Sequence, residues 1–565
     1  MKKPIPFLVL FLNITLCSCS ISFVSSSGTT SNSLTTSSST PATTSNGTVS
    51  TTSEETSSSA GNTSSATSSS TEASTSYVPG TYDHYYKVTG DTTTATFNHK
   101  AMNNTQYVDA LTSSGSPKVL VLPIEISGYT FSAQTLTDIN VALNGNGKSD
   151  TGYWESLSSF YKKSSFGAFA PSYTIAPKYV SGLTPSGLMA LETSTLSASS
   201  AIVRKAFDNY KSVTGDSGSQ FDQDSDGMID SIIMLYSCPD ASKSATIAKL
   251  DSNYDVFWAY CYWDYDKYGT GTASQPIPMS YFWASYDFLY EGAQSPAVDA
   301  HTLIHESGHL MGLDDYYSYD TVTYQGQKVT PAPMGGVAMM DMNVTDHDAF
   351  SKLSLNWVKP YVVTGDSKIT INPAESSGDC ILIPAKGSTW NGTAFDEYML
   401  LELYTPTGLN QLDSATKYSY DPLGYTAAGV RLTHVDSRIA KYTLDNNGNV
   451  TGSTYVADPN AAYSSEDYYG VPESNSVSRR LGAAATGGFN LVTLIQADYP
   501  TNTLQYGLNQ GDNGNLFTTG DSFTFSAYSK FFAKSSTLDN GKTFGYKISF
   551  DSVSATSATI TITAQ

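Results

Sequence analysis

The stretch His305-Glu306-Ser307-Gly308-His309-Leu310-Met311-Gly312-Leu313-Asp314-Asp315 constrains this chain more than any other. It predicts a helix entered through Ser295 as N-cap and Pro296 as first helical residue, where a missing N–H costs nothing. That helix is expected to run to about Met311 and to stop at Gly312, which can adopt the left-handed conformation of a helix end. His305 and His309 stand four residues apart, so their imidazoles share one helix face, one turn apart, and can converge on a single cation.

Two imidazole nitrogens suit zinc, and a catalytic zinc site keeps one coordination position for water. Glu306 directly follows the first histidine and can lean over that position as general base. After Gly312 the chain turns back, which makes Asp315 the candidate third ligand in the pattern HExxHxxGxxD. The chain has only 7 His in 565 residues, so chance supplies HExxH in well under about one percent of chains of this composition. His301, one turn upstream, and Asp314, beside the proposed ligand, are read as residues that support or orient the site.

The length allows two or three domains and a large core. A net charge of −21 with only 14% charged residues means that the acidity is not one dense run. No basic stripe is visible for phosphates, which argues against nucleic acid as a partner. Beyond Cys17 and Cys19 there remain Cys238, Cys261 and Cys380, too few for a disulfide framework. Cys238 and Cys261 could bridge, or all three could be buried thiols.

Met1-Lys2-Lys3 and the apolar run to Leu16 read as a secretory signal. The sequence Leu16-Cys17-Ser18-Cys19 resembles a bacterial lipobox, which would make Cys19 the lipidated mature N-terminus and membrane anchor; ordinary cleavage nearby is the alternative. Residues 25–76 are almost entirely Ser, Thr, Ala, Gly and Asn, a composition that cannot bury a core and reads as a tether.

Folded sequence is expected from about Tyr77, with a buried strand over 118–126, an aromatic helix over 152–160 and a helix over 201–213 capped by Ser200. Asp222, Asp224, Asp226 and Asp230 alternate around Gly227 and resemble an oxygen cage for calcium, with Met228 offering its carbonyl; a solvated acidic turn is the plainer alternative. Further on, Met340 lies in a glycine-marked turn and is the candidate floor beneath the zinc site, although methionine often only fills a core. After Pro360 strands are expected at 368–371, 380–384, 398–404, 429–435, 491–497 and 545–564. His434 reads best as a packed strand histidine.

Several of these stretches, namely KVLVLPIEI, FDQDSDGMID, HESGHLMGLDDYY, GGVAMMDMN, DHDAFSKLSLNWVKP and GVRLTHVD, together resemble the immune inhibitor A family of secreted bacterial zinc metalloproteases. The resemblance spans about residues 100–565 and implies a zinc endopeptidase with calcium support. The expected class is α+β: a zincin/metzincin-like catalytic domain with an active-site helix, then a β-rich C-terminal region. The expected divisions are a lipoprotein-type signal peptide at 1–19, a tether at 20–76, the catalytic domain at 77–365 and the β-rich region at 366–565. The protein is then expected to be a monomer, secreted or surface-anchored, that cleaves extracellular proteins or peptides. A catalytically silent binding module or adhesin on the same scaffold is the alternative.

Overall fold

Three apolar runs, Lys118–Glu125, Ile232–Tyr236 and Ser280–Ser285, form the centre of the first sheet. They lie parallel to one another, Ser172–Ile175 adds a parallel strand outside Lys118–Glu125, and Tyr260–Trp263 closes the other edge antiparallel. Parallel strands are buried on both faces, which is why these runs are continuously apolar. The computed structural model describes residues 82–90, 111–193, 196–264, 271–419, 422–445, 450–456, 469–482, 484–498, 504–506 and 508–565. The proposed signal peptide, Cys19 and the Ser/Thr-rich tether lie outside them.

Alternation within those strands divides two cores. Leu120, Leu122, Ile232, Met234 and Trp283 face the helix Ala198–Thr214, which buries Ile202, Val203 and Phe207 there. Val119, Val121, Ile233, Leu235 and Phe282 face the opposite way, onto a core that includes Phe160 and Tyr161 of the helix Leu157–Ser164 and Leu303 and Ile304 of the helix His301–Leu310. The sheet is thus covered by helices on both faces, and the histidine-bearing helix lies in one cover.

The second sheet runs in the order Val492–Leu494, Gly429–Asp436, Glu397–Tyr404, Cys380–Ile383, Tyr361–Ile371, Ala558–Ala564, Tyr546–Val553 and Ser522–Thr524, with Asp83–Lys87 also paired to Tyr361–Ile371. Its pairs are antiparallel except Tyr361–Ile371 with Cys380–Ile383. Leu382, Leu400 and Val435 point into the same core as the histidine helix, whereas Met399, Leu401 and Leu432 point into a separate one. The histidine helix therefore shares its core with both sheets. Position 365 falls inside the strand Tyr361–Ile371. The molecule is a mixed α and β fold, in keeping with the α+β class.

Several element boundaries differ from expectation. The helix 201–213 extends to Ala198–Thr214 and is capped by Ser197, whose hydroxyl accepts from the Ser200 N–H, not by Ser200 itself. The aromatic helix starts only at Leu157, because the Ser156 hydroxyl caps it by accepting from Ser159 N–H. The segment 545–564 is a hairpin: Ser554 Oγ accepts the N–H groups of Thr556 and Ser557 and turns the chain without glycine or proline. Cys238, Cys261 and Cys380 are buried and in no disulfide. No helix among the described residues is long and apolar enough to cross a membrane.

Candidate metal centre

The helix that carries the two histidines begins at His301, not at Pro296. Residues 295–300 are held in a non-helical path by Val298 N–H to Thr151 O (2.9 Å) and Asp299 N–H to Leu289 O (2.7 Å), and the Ser295–Pro296 bond is cis. Ser295 is therefore no cap. Asp299 instead accepts the His301 N–H at 2.9 Å.

The far end follows the expected course. Gly312 has φ +98°, its N–H donates to His309 O at 2.8 Å, and Leu313 N–H donates to Gly308 O at 3.0 Å. This pair of bonds is a Schellman motif, in which a left-handed residue satisfies the last helical carbonyls. It returns the chain so that Asp315 meets the histidine pair. Asp315 Oδ1 lies 3.0 Å from His305 Nε2 and 3.3 Å from His309 Nε2. All three side chains are buried.

The other ring nitrogens determine what those Nε2 atoms can do. His305 Nδ1 is 2.9 Å from Met339 O, and His309 Nδ1 is 2.8 Å from Leu313 O. A carbonyl can only accept, so each Nδ1 must donate, which in the neutral ring leaves the lone pair on Nε2. Two lone pairs directed at a carboxylate oxygen call for a positive species among them. Tetrahedral ligands at about 2.0–2.1 Å from zinc stand about 3.3 Å apart, close to the spacing seen here. Without metal a proton must serve: burial would lower the His309 pKa, but Asp315 outweighs it and pushes it up to about 10. Burial would likewise raise the Asp315 carboxyl, and the two imidazoles instead hold it well below its usual range.

Glu306 is buried beside the pair, and burial raises its pKa. Cys261 Sγ lies 3.1 Å from Glu306 O and 3.4 Å from its Oε2. Met340 packs beneath the helix: a Cβ on Gly308 would sit 2.6 Å from Met340 Sδ, so any larger residue there would push the methionine side chain aside. Met339, on the same short helix, supplies the carbonyl that orients His305. Asp314 is not in the converging group, although its Oδ2 is buried without a hydrogen-bond partner.

Contacts of three kinds were not visible in the sequence. Tyr319 donates its hydroxyl to Asp315 Oδ2, and Arg479 lies over the Tyr319 ring at 5.5 Å. Cys261 reaches Glu306 across 45 residues. His301 Nδ1 is 2.6 Å from Asp299 Oδ1 and its Nε2 is 3.2 Å from Asp413, while Trp154 and Tyr418 stack on its two faces at 4.1 and 4.2 Å. Burial works against charging His301, yet the two carboxylates raise its pKa to about 10. Only the four-residue step to His305 hinted at a supporting role.

The acidic loop brings together Asp222, Asp224 and Asp230, with one oxygen of each within 4.8 Å of the others. Asp226 is not in that group; its Oδ1 accepts Met228 N–H at 2.8 Å. Met228 lies in the two-residue strand Met228–Ile229, paired with Ile277–Pro278. Gly227 has φ +93°, and a Cβ there would strike the Gly271 backbone at 2.6 Å. Burial, with smaller help from the neighbouring aspartates, pushes Asp230 up to about 7.

Compared with known proteins, the chain matches no family model, and a search of curated proteins returned no match.

Proposed function

We propose that this chain is a zinc-dependent endopeptidase of the immune inhibitor A kind, with a metzincin-like catalytic domain, secreted or held at the cell surface through Cys19. It would act on extracellular proteins or peptides. The observation that carries this reading is the convergence of His305 Nε2, His309 Nε2 and Asp315 Oδ1, with Glu306 alongside and both Nδ1 atoms committed to carbonyls. His305, His309 and Asp315 would hold the zinc, and Asp222, Asp224 and Asp230 are the proposed calcium ligands.

Zinc, when bound, supplies a Lewis acid that polarises the scissile carbonyl and acidifies water. Glu306 takes the proton from the attacking water and returns it to the leaving amine. Its burial favours the proton-accepting step, because a raised carboxyl pKa makes a stronger base. Cys261 fixes where the carboxylate points, and Tyr319 holds the second oxygen of Asp315. Met339 and Leu313 keep the histidine rings in the metal-binding tautomer.

One observation favours a second reading. His305, Glu306, His309 and Asp315 are only 1–4% exposed, as in a structural metal site on a silent scaffold. Replacing Glu306 separates the two. Glu306→Gln should retain zinc and lose about a hundred- to ten-thousand-fold in peptide cleavage rate. A wild-type chain that holds zinc but cleaves nothing in a mixed peptide library, with or without chelator, supports the silent scaffold.

A further inference from the structure

We propose that Glu397, His434 and Asp539 form a second divalent-metal site that pins a C-terminal loop to the second sheet. Glu397 opens the strand Glu397–Tyr404 and His434 lies in Gly429–Asp436, where Met399 pairs directly with His434. Glu397, two residues before Met399, therefore shares a face with His434. Asp539 arrives from the segment between the strands Ser522–Thr524 and Tyr546–Val553. One ligand atom from each of the three lies within 4.8 Å of the others, and all three residues are buried.

The hydrogen bonding leaves a place for a cation. Glu397 Oε1 accepts Asp539 N–H at 2.6 Å, and Oε2 accepts Asn540 N–H at 2.7 Å. The carboxylate is thus oriented by the loop backbone, and Oε1 meets His434 Nε2 at 3.0 Å, a contact that either a proton or a cation can bridge. That is the same distance as between His305 Nε2 and Asp315 Oδ1. Asp539 is 4% exposed, and its Oδ1 has no hydrogen-bond partner. A buried carboxylate oxygen without a donor costs free energy that a cation removes.

Arg438 binds both oxygens of Asp436 at 2.7 Å and lies 3.8 Å from Glu397 Oε2, and the Lys534 ammonium donates to Asp539 O at 2.6 Å, so neither cation reaches Asp539 Oδ1. One imidazole nitrogen with two carboxylate oxygens suits zinc better than calcium, which prefers a larger all-oxygen shell.

The test is zinc content per chain, measured by elemental mass spectrometry on the full chain expressed with zinc and dialysed into metal-free buffer. Two equivalents are expected in the wild type, one in His434→Gln, one in Asp539→Asn and one in His305→Ala. The double variant His305→Ala/His434→Gln should carry none. A single wild-type equivalent that His305→Ala removes and His434→Gln leaves in place overturns the proposal and makes the cluster a buried ion pair. If His434→Gln does not fold, the wild-type stoichiometry and Asp539→Asn decide alone. A single equivalent lost in His434→Gln but kept in His305→Ala upholds this site and refutes the peptidase centre instead.

Discussion

The histidine helix and the aspartate loop are both candidate cation sites, yet they are built on opposite principles. On the helix, backbone carbonyls occupy the Nδ1 atoms and direct the Nε2 atoms at a shared carboxylate oxygen. In the loop, the carboxylates are already engaged by the backbone of the loop itself. Asp222 accepts Asp226 N–H at 3.1 Å and Gly227 N–H at 3.0 Å, Asp224 accepts Asp226 N–H at 3.3 Å, and Asp230 accepts Gln223 N–H at 3.3 Å. The helix site has spent its hydrogen bonds on orienting ligands, the loop on holding its own shape. A cation should therefore be indispensable to the first and merely helpful to the second.

The largest effect should come from the helix. His309→Ala or Asp315→Ala should each remove the one zinc equivalent held at this site, leaving the equivalent assigned to Glu397, His434 and Asp539, and abolish hydrolysis, since each removes one of three converging ligands. Asp314→Ala should leave zinc nearly unchanged, as measured by elemental analysis after dialysis. Equal losses in the two aspartate variants would break the comparison at its ligand set.

Next in size is the support of that helix. His301 lies between Asp299 and Asp413, whose carboxylates push its pKa up to about 10 against its burial, and His301→Gln should cost about 3–5 kcal/mol by stranding a buried carboxylate. Its pH dependence has a definite sign. A folded pKa of about 10 lies above the unfolded value of about 6.5, so the stabilisation is complete below about pH 6.5 and is lost as pH rises through 10. Urea unfolding of the zinc-loaded protein from pH 6 to 10 should show this decline, and His301→Gln should flatten it. A wild-type curve indifferent to pH over that range contradicts the imidazolium.

The smallest effect belongs to the loop. Two carboxylates about 5 Å apart repel by roughly 3 kcal/mol at an effective dielectric of 20, so calcium has something to relieve. The backbone bonds already hold the loop, and removing calcium should lower the melting temperature by about a few degrees while zinc stays bound. Asp224→Ala should reproduce that shift. A melting temperature indifferent to calcium would leave an acidic turn only.

What could be read from sequence was the local part. The four-residue step between His305 and His309, the left-handed Gly312 and the return to Asp315 all lie within eleven residues, where helix geometry dictates position. The apolar strands were equally legible, because double burial leaves a continuous apolar run. The helix start was not, since residues 295–300 are fixed by Thr151 and Leu289, partners that no local propensity reveals. The same holds for Cys261 on Glu306 and for the group of Glu397, His434 and Asp539, whose members lie up to 142 residues apart. His434 read as a packed strand histidine because only the fold brings Asp539 to it.

The central claim, a zinc ion on His305, His309 and Asp315, is tested most directly by anomalous diffraction at the zinc edge from crystals of the full chain. An anomalous peak is expected with both Nε2 atoms and an Asp315 oxygen at about 2.0–2.2 Å. No peak between these side chains in zinc-supplied crystals, or a peak bound by Asp314 with Asp315 turned away, would contradict it.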